Sequence, residues 1–238
     1  MTNPNSATIW FPSIKSVGLR VPETIMLPYN HGSAVCWIED GSGKKEDWEN
    51  AVSGAKEAAK EIGYPVFIRT DLASAKHDGI ASFRAACEEE ITTCVGRTIY
   101  DNELKFGFDI GPTHIMVRQW LNLHHTFTAY QGMPVAREWR FFADSRSVFC
   151  AHPYWPDGAV EDGIPNIDDW REKLKLLNEL PHNYGELCSL AMRAAAACGD
   201  DRWSVDFAMD RDGSWWLIDM ARMENSWHWP GCPNGGTR

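Results

Sequence analysis

The chain has 238 residues, 44% hydrophobic and 24% charged, which is enough for one substantial core or two small subdomains and is ordinary for a globular protein. A formal net charge of −10 argues against non-specific binding to nucleic acid or anionic membranes as the main activity. Seven scattered cysteines without a CxxC pair read as reduced thiols, and the start, "MTNPNSATIWF", has neither a signal peptide nor a spanning run, so a cytoplasmic setting is expected.

In chain order, "TIML" and "AVCWIE" read as short strands around Pro28 and a polar Asn30-His31-Gly32 turn. Residues 46–62 carry apolar positions at helical spacing (Trp48, Val52, Ala55, Ala59, Ile62), and Gly63 supplies the stop. "YPVFIRTD" reads as a strand opening into the small-residue loop "LASAKHDG", followed by a helix over about 82–95. "HIMVRQWLNL", "TFTAY", "VAREWRFFAD" and "SVFCAHPYW" are strand candidates, with turns at Gln131-Gly132 and Asp144-Ser145. A Pro/Gly/Asp-rich connection over 156–166 precedes helices at about 168–179 and 184–198. The segment "VDFAMDRDGSWWLID" is a hairpin around Asp212-Gly213, and residues 229–238 read as a poorly structured tail. Hairpins flanked by helices imply an α+β architecture.

Four features carry chemistry. Arg69 ends the "YPVFIRT" strand and Lys76 lies in the loop behind it; both cations suit phosphate oxygens. Read alone, the loop favours a solvated surface with Arg69 paired to Asp71, since it has one glycine and matches no P-loop. "IMVRQWLNL" is an apolar strand bearing Arg118 and Gln119. In "AREWRFF", alternation puts Glu138 and Arg140 on one face and Trp139 and Phe141 on the other. In the last hairpin a turn centred on Asp212-Gly213 sets Asp206 opposite Asp219, with Cβ atoms roughly 4.5–5.5 Å apart, where like charges repel. A hard cation such as Mg²⁺ would cancel that repulsion. A three-residue loop with a bulge would instead turn one Asp to the other face.

In order and spacing, "GYPVFIRT", "MVRQWLNL" and "VDFAMDRDGSWWLID" resemble the ATP-grasp superfamily, and "VGLRVPET" looks like the entry to its nucleotide-binding module. The resemblance covers about residues 18–225. It implies an ATP-grasp fold of two α+β subdomains with the nucleotide held between antiparallel sheets: an N-terminal segment 1–17, a subdomain 18–120 with the phosphate loop, a subdomain 121–228 with the metal-binding hairpin, and the tail. It implies a ligase using ATP and Mg²⁺, which activates a carboxylate as an acyl phosphate for attack by an amine or another nucleophile. Arg69 and Lys76 would hold phosphates, and Arg140 and Lys76 would act on the transferring group. Arg118 would bind the nucleotide, the backbone of the stretch Gln119, Trp120 and Leu121 would read the adenine edge, Glu138 would hold the ribose, and Asp206 and Asp219 the metal. Lys15 is a weaker match to the family's first ATP lysine.

Two departures stand out. Arg69 occupies the family's strand-end lysine position while Lys76 follows in the loop, which resembles a divergent branch common in phages and conflict systems. The asparagine of the family's final motif is Ala221, leaving Glu224 or Asn225 to supply a contact. Only about 17 residues precede "GLRVPET", so a protein or peptide acceptor, a partner, or a second copy is expected to supply the substrate wall. A phosphotransferase and a non-catalytic ATP- or partner-binding protein are the alternatives. A metal enzyme built on His114, His124, His125, Cys150 and His152 is disfavoured, because adjacent His124 and His125 on a strand face opposite ways.

Overall fold

The computed structural model describes residues 3–74, 79–106, 111–199 and 201–235. Lys76 lies outside them. The chain divides into two compact units, Met1–Thr8 with Pro22–Leu121, and Ile9–Val21 with Asn122–Arg238. No helix among the described residues is long and apolar enough to cross a membrane.

The first unit is built on an antiparallel sheet in the order β1-β4-β2-β3, comprising β1 (Thr24–Pro28), β2 (Val66–Thr70), β3 (Arg84–Ala85) and β4 (His114–Gln119). Helix α1 (Ala7–Ser16) belongs to both units by its two ends. Helices α2 (His31–Asp40), α3 (Lys45–Ile62) and α4 (Glu88–Phe106) supply the apolar side chains that meet Val66, Ile68, Ile115 and Val117 from the sheet in one core. Because side chains alternate along a strand, Phe67, Arg69, Met116 and Arg118 occupy the other face.

Helix α3 forms where its apolar spacing predicts, and Gly63 follows it at φ 92°. "AVCWIE" does not form a strand. Asn30 caps a helix there, its side chain accepting from Ser33 N–H, and Gly41 closes the far end in the left-handed region, so the two caps and the packing of Ala34 and Val35 outweigh a β-prone run. The helix expected over 82–95 starts later and ends later, as α4, because Arg84–Ala85 pairs with β2 before the chain turns. Residues 7–16, read without an element, form α1.

The second unit carries the sheet β10-β9-β7-β8, all antiparallel: β7 (Glu138–Ala143), β8 (Val148–Pro153), β9 (Trp203–Met209) and β10 (Trp215–Arg222). A two-stranded hairpin, β5 (His125–Ala129) with β6 (Met133–Ala136), precedes it. "VAREWRFFAD" thus splits into β6 and β7. Helices α5 (Asp157–Asp162), α6 (Trp170–Leu177) and α7 (Tyr184–Ala197) follow, the first inside the connection that was expected to be loop. Tyr184 at the start of α7 packs on Trp139 and Phe141, and Phe141 meets Phe207, so this face of the sheet is the apolar one. All seven cysteines are free thiols.

Candidate functional site

The last hairpin shows how local chemistry sets up the site. Its loop is the three-residue one, residues 211–213: Asp210 N–H donates to Ser214 O and Gly213 N–H to Asp210 O, with Gly213 at φ 82°. Asp210 organises the turn. Its Oδ1 accepts from Asp212 and Ser214 N–H at 3.0 and 2.8 Å, and its Oδ2 accepts from the Trp216 indole at 2.7 Å. The first pairs after the turn are Trp215 with Met209, Trp216 with Ala208 and Leu217 with Phe207. Continued unchanged, that register would set Ile218 against Asp206 and turn Asp219 away. A bulge between Leu217 and Asp219 absorbs one residue, and Asp219 pairs with Asp206. The opposed acids are present, through a bulge and not through the turn alone.

The sheet order adds what the hairpin lacks. Arg140 of β7 pairs with Asp206 on its other side, and His152 of β8 pairs with Arg140. One row across the sheet therefore reads Asp219, Asp206, Arg140, His152. Arg140 Nε and Nη2 donate to Asp206 Oδ1 and Oδ2, both at 2.7 Å, in a fork-to-carboxylate pair, with side chains 17% and 5% exposed. Burial works against the guanidinium, but the charge and hydrogen bonds of Asp206 more than offset it and hold Arg140 above its ordinary pKa. The Tyr154 ring lies 4.8 Å beneath Arg140. Glu138, buried, shares this face as alternation required. Asp206 is thus compensated by an arginine two positions beyond Glu138, a partner the hairpin sequence does not announce.

Two carboxylates on one face fit Mg²⁺ in donor chemistry. Each Asp206 oxygen accepts one hydrogen bond from Arg140 and keeps further lone-pair capacity, and Asp219 stands opposite. Ser204 pairs with Ala221, and its hydroxyl meets the Ala221 carbonyl at 3.3 Å and Ser226 Oγ at 2.6 Å, so of Ala221 the carbonyl is what this network engages. Glu224 and Asn225 lie in an exposed 3₁₀ turn, Met223–Asn225.

In the first unit Arg69 and Arg118 sit on the sheet face opposite the α2–α4 core, each 4% exposed, diagonal to one another because Arg69 pairs with Met116 and Arg118 with Phe67. Arg69 Nε donates to Thr70 O at 3.0 Å, and Arg118 Nε to Thr24 Oγ1 at 3.3 Å. Asp71 accepts from Thr113 and His114 N–H and from the Ser6 hydroxyl. Gln119 ends β4 and exchanges hydrogen bonds with Glu23. Trp120 lies 5.2 Å from the Arg84 guanidinium and stacks on Phe83. Among the described residues no hydrogen bond engages the Leu121 backbone. Lys15 is exposed in the last turn of α1.

The histidines singled out as a group do not converge. His114 lies in the first unit, its ring against Thr113 Oγ1, and His125 Nδ1 meets Leu123 O. Cys150 and His152 instead meet His228 and Cys232, which sequence reasoning passed over because the tail has no periodic pattern. Burial keeps both imidazoles, His152 and His228, below their ordinary pKa and therefore neutral near pH 7.

No protein-family model and no curated protein matches the chain. Solved structures do. C-terminally truncated Cdc123 from Schizosaccharomyces pombe aligns at 13% identity over 93% of this chain and 86% of that one, with a TM-score of 0.58. N5-carboxyaminoimidazole synthase from Aspergillus clavatus, in complex with ADP and 5-aminoimidazole ribonucleotide, aligns at 15% identity over 94% and 46%, TM-score 0.51. The biotin carboxylase domain dimer of Hydrogenobacter thermophilus 2-oxoglutarate carboxylase, in complex with MgADP, ADP and bicarbonate, aligns at 18% identity over 94% and 40%, TM-score 0.51. The chain spans less than half the length of the latter two. These likenesses are likenesses of fold, and the fold is that of ATP-grasp proteins.

Proposed function

We propose that the chain binds Mg-ATP and works as an ATP-dependent ligase that joins a carboxylate to an amine or another nucleophile. The observation that carries this reading is the row Asp219, Asp206, Arg140: two acids and a pinned arginine at adjacent strand positions on one sheet face. The fold supports it, and the two enzymes of the same fold named above hold ADP in their complexes.

In this reading Asp206 and Asp219 hold Mg²⁺, which supplies charge neutralisation on the nucleotide phosphates. Arg140 spends two of its five N–H donors on Asp206, so its fork is held in one orientation while the remaining donors address a phosphoryl oxygen. Arg69 and Arg118 give the first unit a pair of cations on one sheet face, suited to phosphate oxygens, with Lys76 as a further phosphate cation. Glu138 takes a ribose hydroxyl, and the Gln119 to Leu121 backbone takes the adenine edge. A carboxylate oxygen of the substrate attacks the γ-phosphorus, the bond to the bridging oxygen breaks and ADP leaves. The nucleophile then attacks the acyl carbon, phosphate leaves, and an attacking amine loses a proton. Positioning and charge neutralisation dominate such transfers.

The test is ATP turnover and Mg²⁺-dependent nucleotide binding in the wild type and in Asp219→Asn, with amino acids, peptides and cell extract screened for ADP release. Loss of both is the expected outcome; undiminished turnover in Asp219→Asn overturns the metal assignment. A second reading, nucleotide binding without turnover, is favoured by Ala221 and by the engagement of both Asp206 oxygens with Arg140. Tight Mg-ATP binding with no ADP release against any acceptor selects it. Phosphorylated product without ligation would select a phosphotransferase.

A further inference from the structure

Cys150 and His152 are two apart on β8 and project from the face that bears Arg140. After β10 the chain returns along this strand. The Trp229 indole N–H donates to Pro153 O at 2.7 Å, and the Asn234 amide donates to Phe149 O at 3.0 Å. These contacts carry His228 and Cys232 onto Cys150 and His152. The His228 ring stacks on Phe142 with centroids 3.6 Å apart, and Cys150 Sγ lies 3.6 Å from His228 Nδ1. One ligand-capable atom from each of the four residues lies within 4.8 Å of the other three.

A tetrahedral zinc ion with Zn–S of about 2.3 Å and Zn–N of about 2.05 Å separates sulfur from nitrogen by about 3.6 Å and sulfur from sulfur by about 3.8 Å. The Cys150 to His228 separation of 3.6 Å matches the first of these edges. His152 Nε2 is buried with no hydrogen-bond partner among the described residues, a costly arrangement that a metal–nitrogen bond would relieve. Thiol and imidazole donors suit zinc and do not suit Mg²⁺.

We infer that Cys150, His152, His228 and Cys232 form a zinc site that clasps residues 226–235 onto β8. Four protein ligands complete a tetrahedron and leave no open position, so the ion is structural and not catalytic. Binding exchanges the two thiol protons, released to solvent, for two zinc–thiolate bonds. The site is independent of the nucleotide reading. It touches that reading at one point, because His152 pairs across from Arg140 and the clasp would steady the strand flanking it.

The full chain, expressed with zinc present and purified under reducing conditions, is expected to carry about one zinc per chain by elemental analysis. Cys150→Ser and Cys232→Ser should lose it to background, while Cys36→Ser, altered in α2 of the other unit, should keep it. Apo wild type titrated with Co²⁺ should develop thiolate-to-cobalt charge transfer and the strong visible absorption of a tetrahedral centre; this reading stands even where a cysteine variant is not recovered folded. Three outcomes overturn the inference: reduced wild type without zinc and with only a weak octahedral cobalt spectrum, zinc retained by the Cys150→Ser/Cys232→Ser double variant, or a Cys150–Cys232 disulfide persisting in place of the metal. ATP binding has no part in these measurements, so either proposal can fail alone.

Discussion

Replacing Arg140 by Met tests the electrostatics of the sheet row directly. The side chain's fork makes two 2.7 Å contacts to Asp206, and at an effective dielectric of about 20 the gross attraction at that distance is about 6 kcal/mol. Part of this is already offset by desolvation, so the measured loss should be the usual cost of orphaning one partner of a buried pair, about 3–5 kcal/mol. The orphan here is worse placed than most, because Asp206 is 3% exposed and faces Asp219. Unfolding in urea followed by tryptophan fluorescence reads the loss. Adding Asp206→Asn to Arg140→Met should recover part of it, since a neutral amide no longer repels Asp219. Mg²⁺ should stabilise Arg140→Met more than wild type, because Asp206 then has both oxygens available; saturation to ten times the dissociation constant contributes about 1.4 kcal/mol. A loss below about 0.5 kcal/mol would refute the buried-pair account. So would a double variant less stable than the single one. No Mg²⁺ shift in either protein would remove the acids as a metal seat.

Two local predictions follow. Asp210→Ala should cost about 2 kcal/mol near neutral pH, from three hydrogen bonds to a charged acceptor that organise the turn. Burial raises the Asp210 carboxyl, but the Trp216 indole, the Ser214 and Asp212 N–H groups and Arg20 more than reverse this and leave it below the ordinary Asp value. The unfolded chain therefore binds the proton more readily, so the stabilisation is complete above about pH 4, is lost as pH falls through the lower folded pKa, and the wild-type and Asp210→Ala stability curves should converge there. Gly213→Ala should cost about 1–2 kcal/mol by thermal unfolding, entirely from backbone strain at φ 82°, because an added Cβ meets nothing within 4 Å.

Much of the fold could be read from local pattern. Helix α3, strands β2, β4 and β8, and the β9–β10 hairpin sit where periodicity and turn residues put them. The spacing misses helix α2 because Val35, Trp37 and Ile38 carry β propensity, while the signal that decides it, the caps Asn30 and Gly41 with ten residues between them, is spread over both ends. The face shared by Glu138 and Arg140 follows from alternation, whereas the three-residue turn is expected to set Asp206 and Asp219 on opposite faces, and only the bulge between Leu217 and Asp219 opposes them.

The sequence by itself determined which residue types were available and which faces they shared, because helix and strand periods are local and depend only on the nearest few residues. Tertiary structure decided which strands became neighbours. The order β10-β9-β7-β8 brings Arg140 to Asp206 across 66 positions of chain, a bulge at Ile218 returns Asp219 to the same face, and the path after β10 delivers His228 and Cys232 to Cys150 and His152. Those pairings depend on sheet order and on how the whole chain packs, which no window of sequence contains. The physical character of the candidate site, a compensated acid row beside a thiol–imidazole cluster, is a property of that packing.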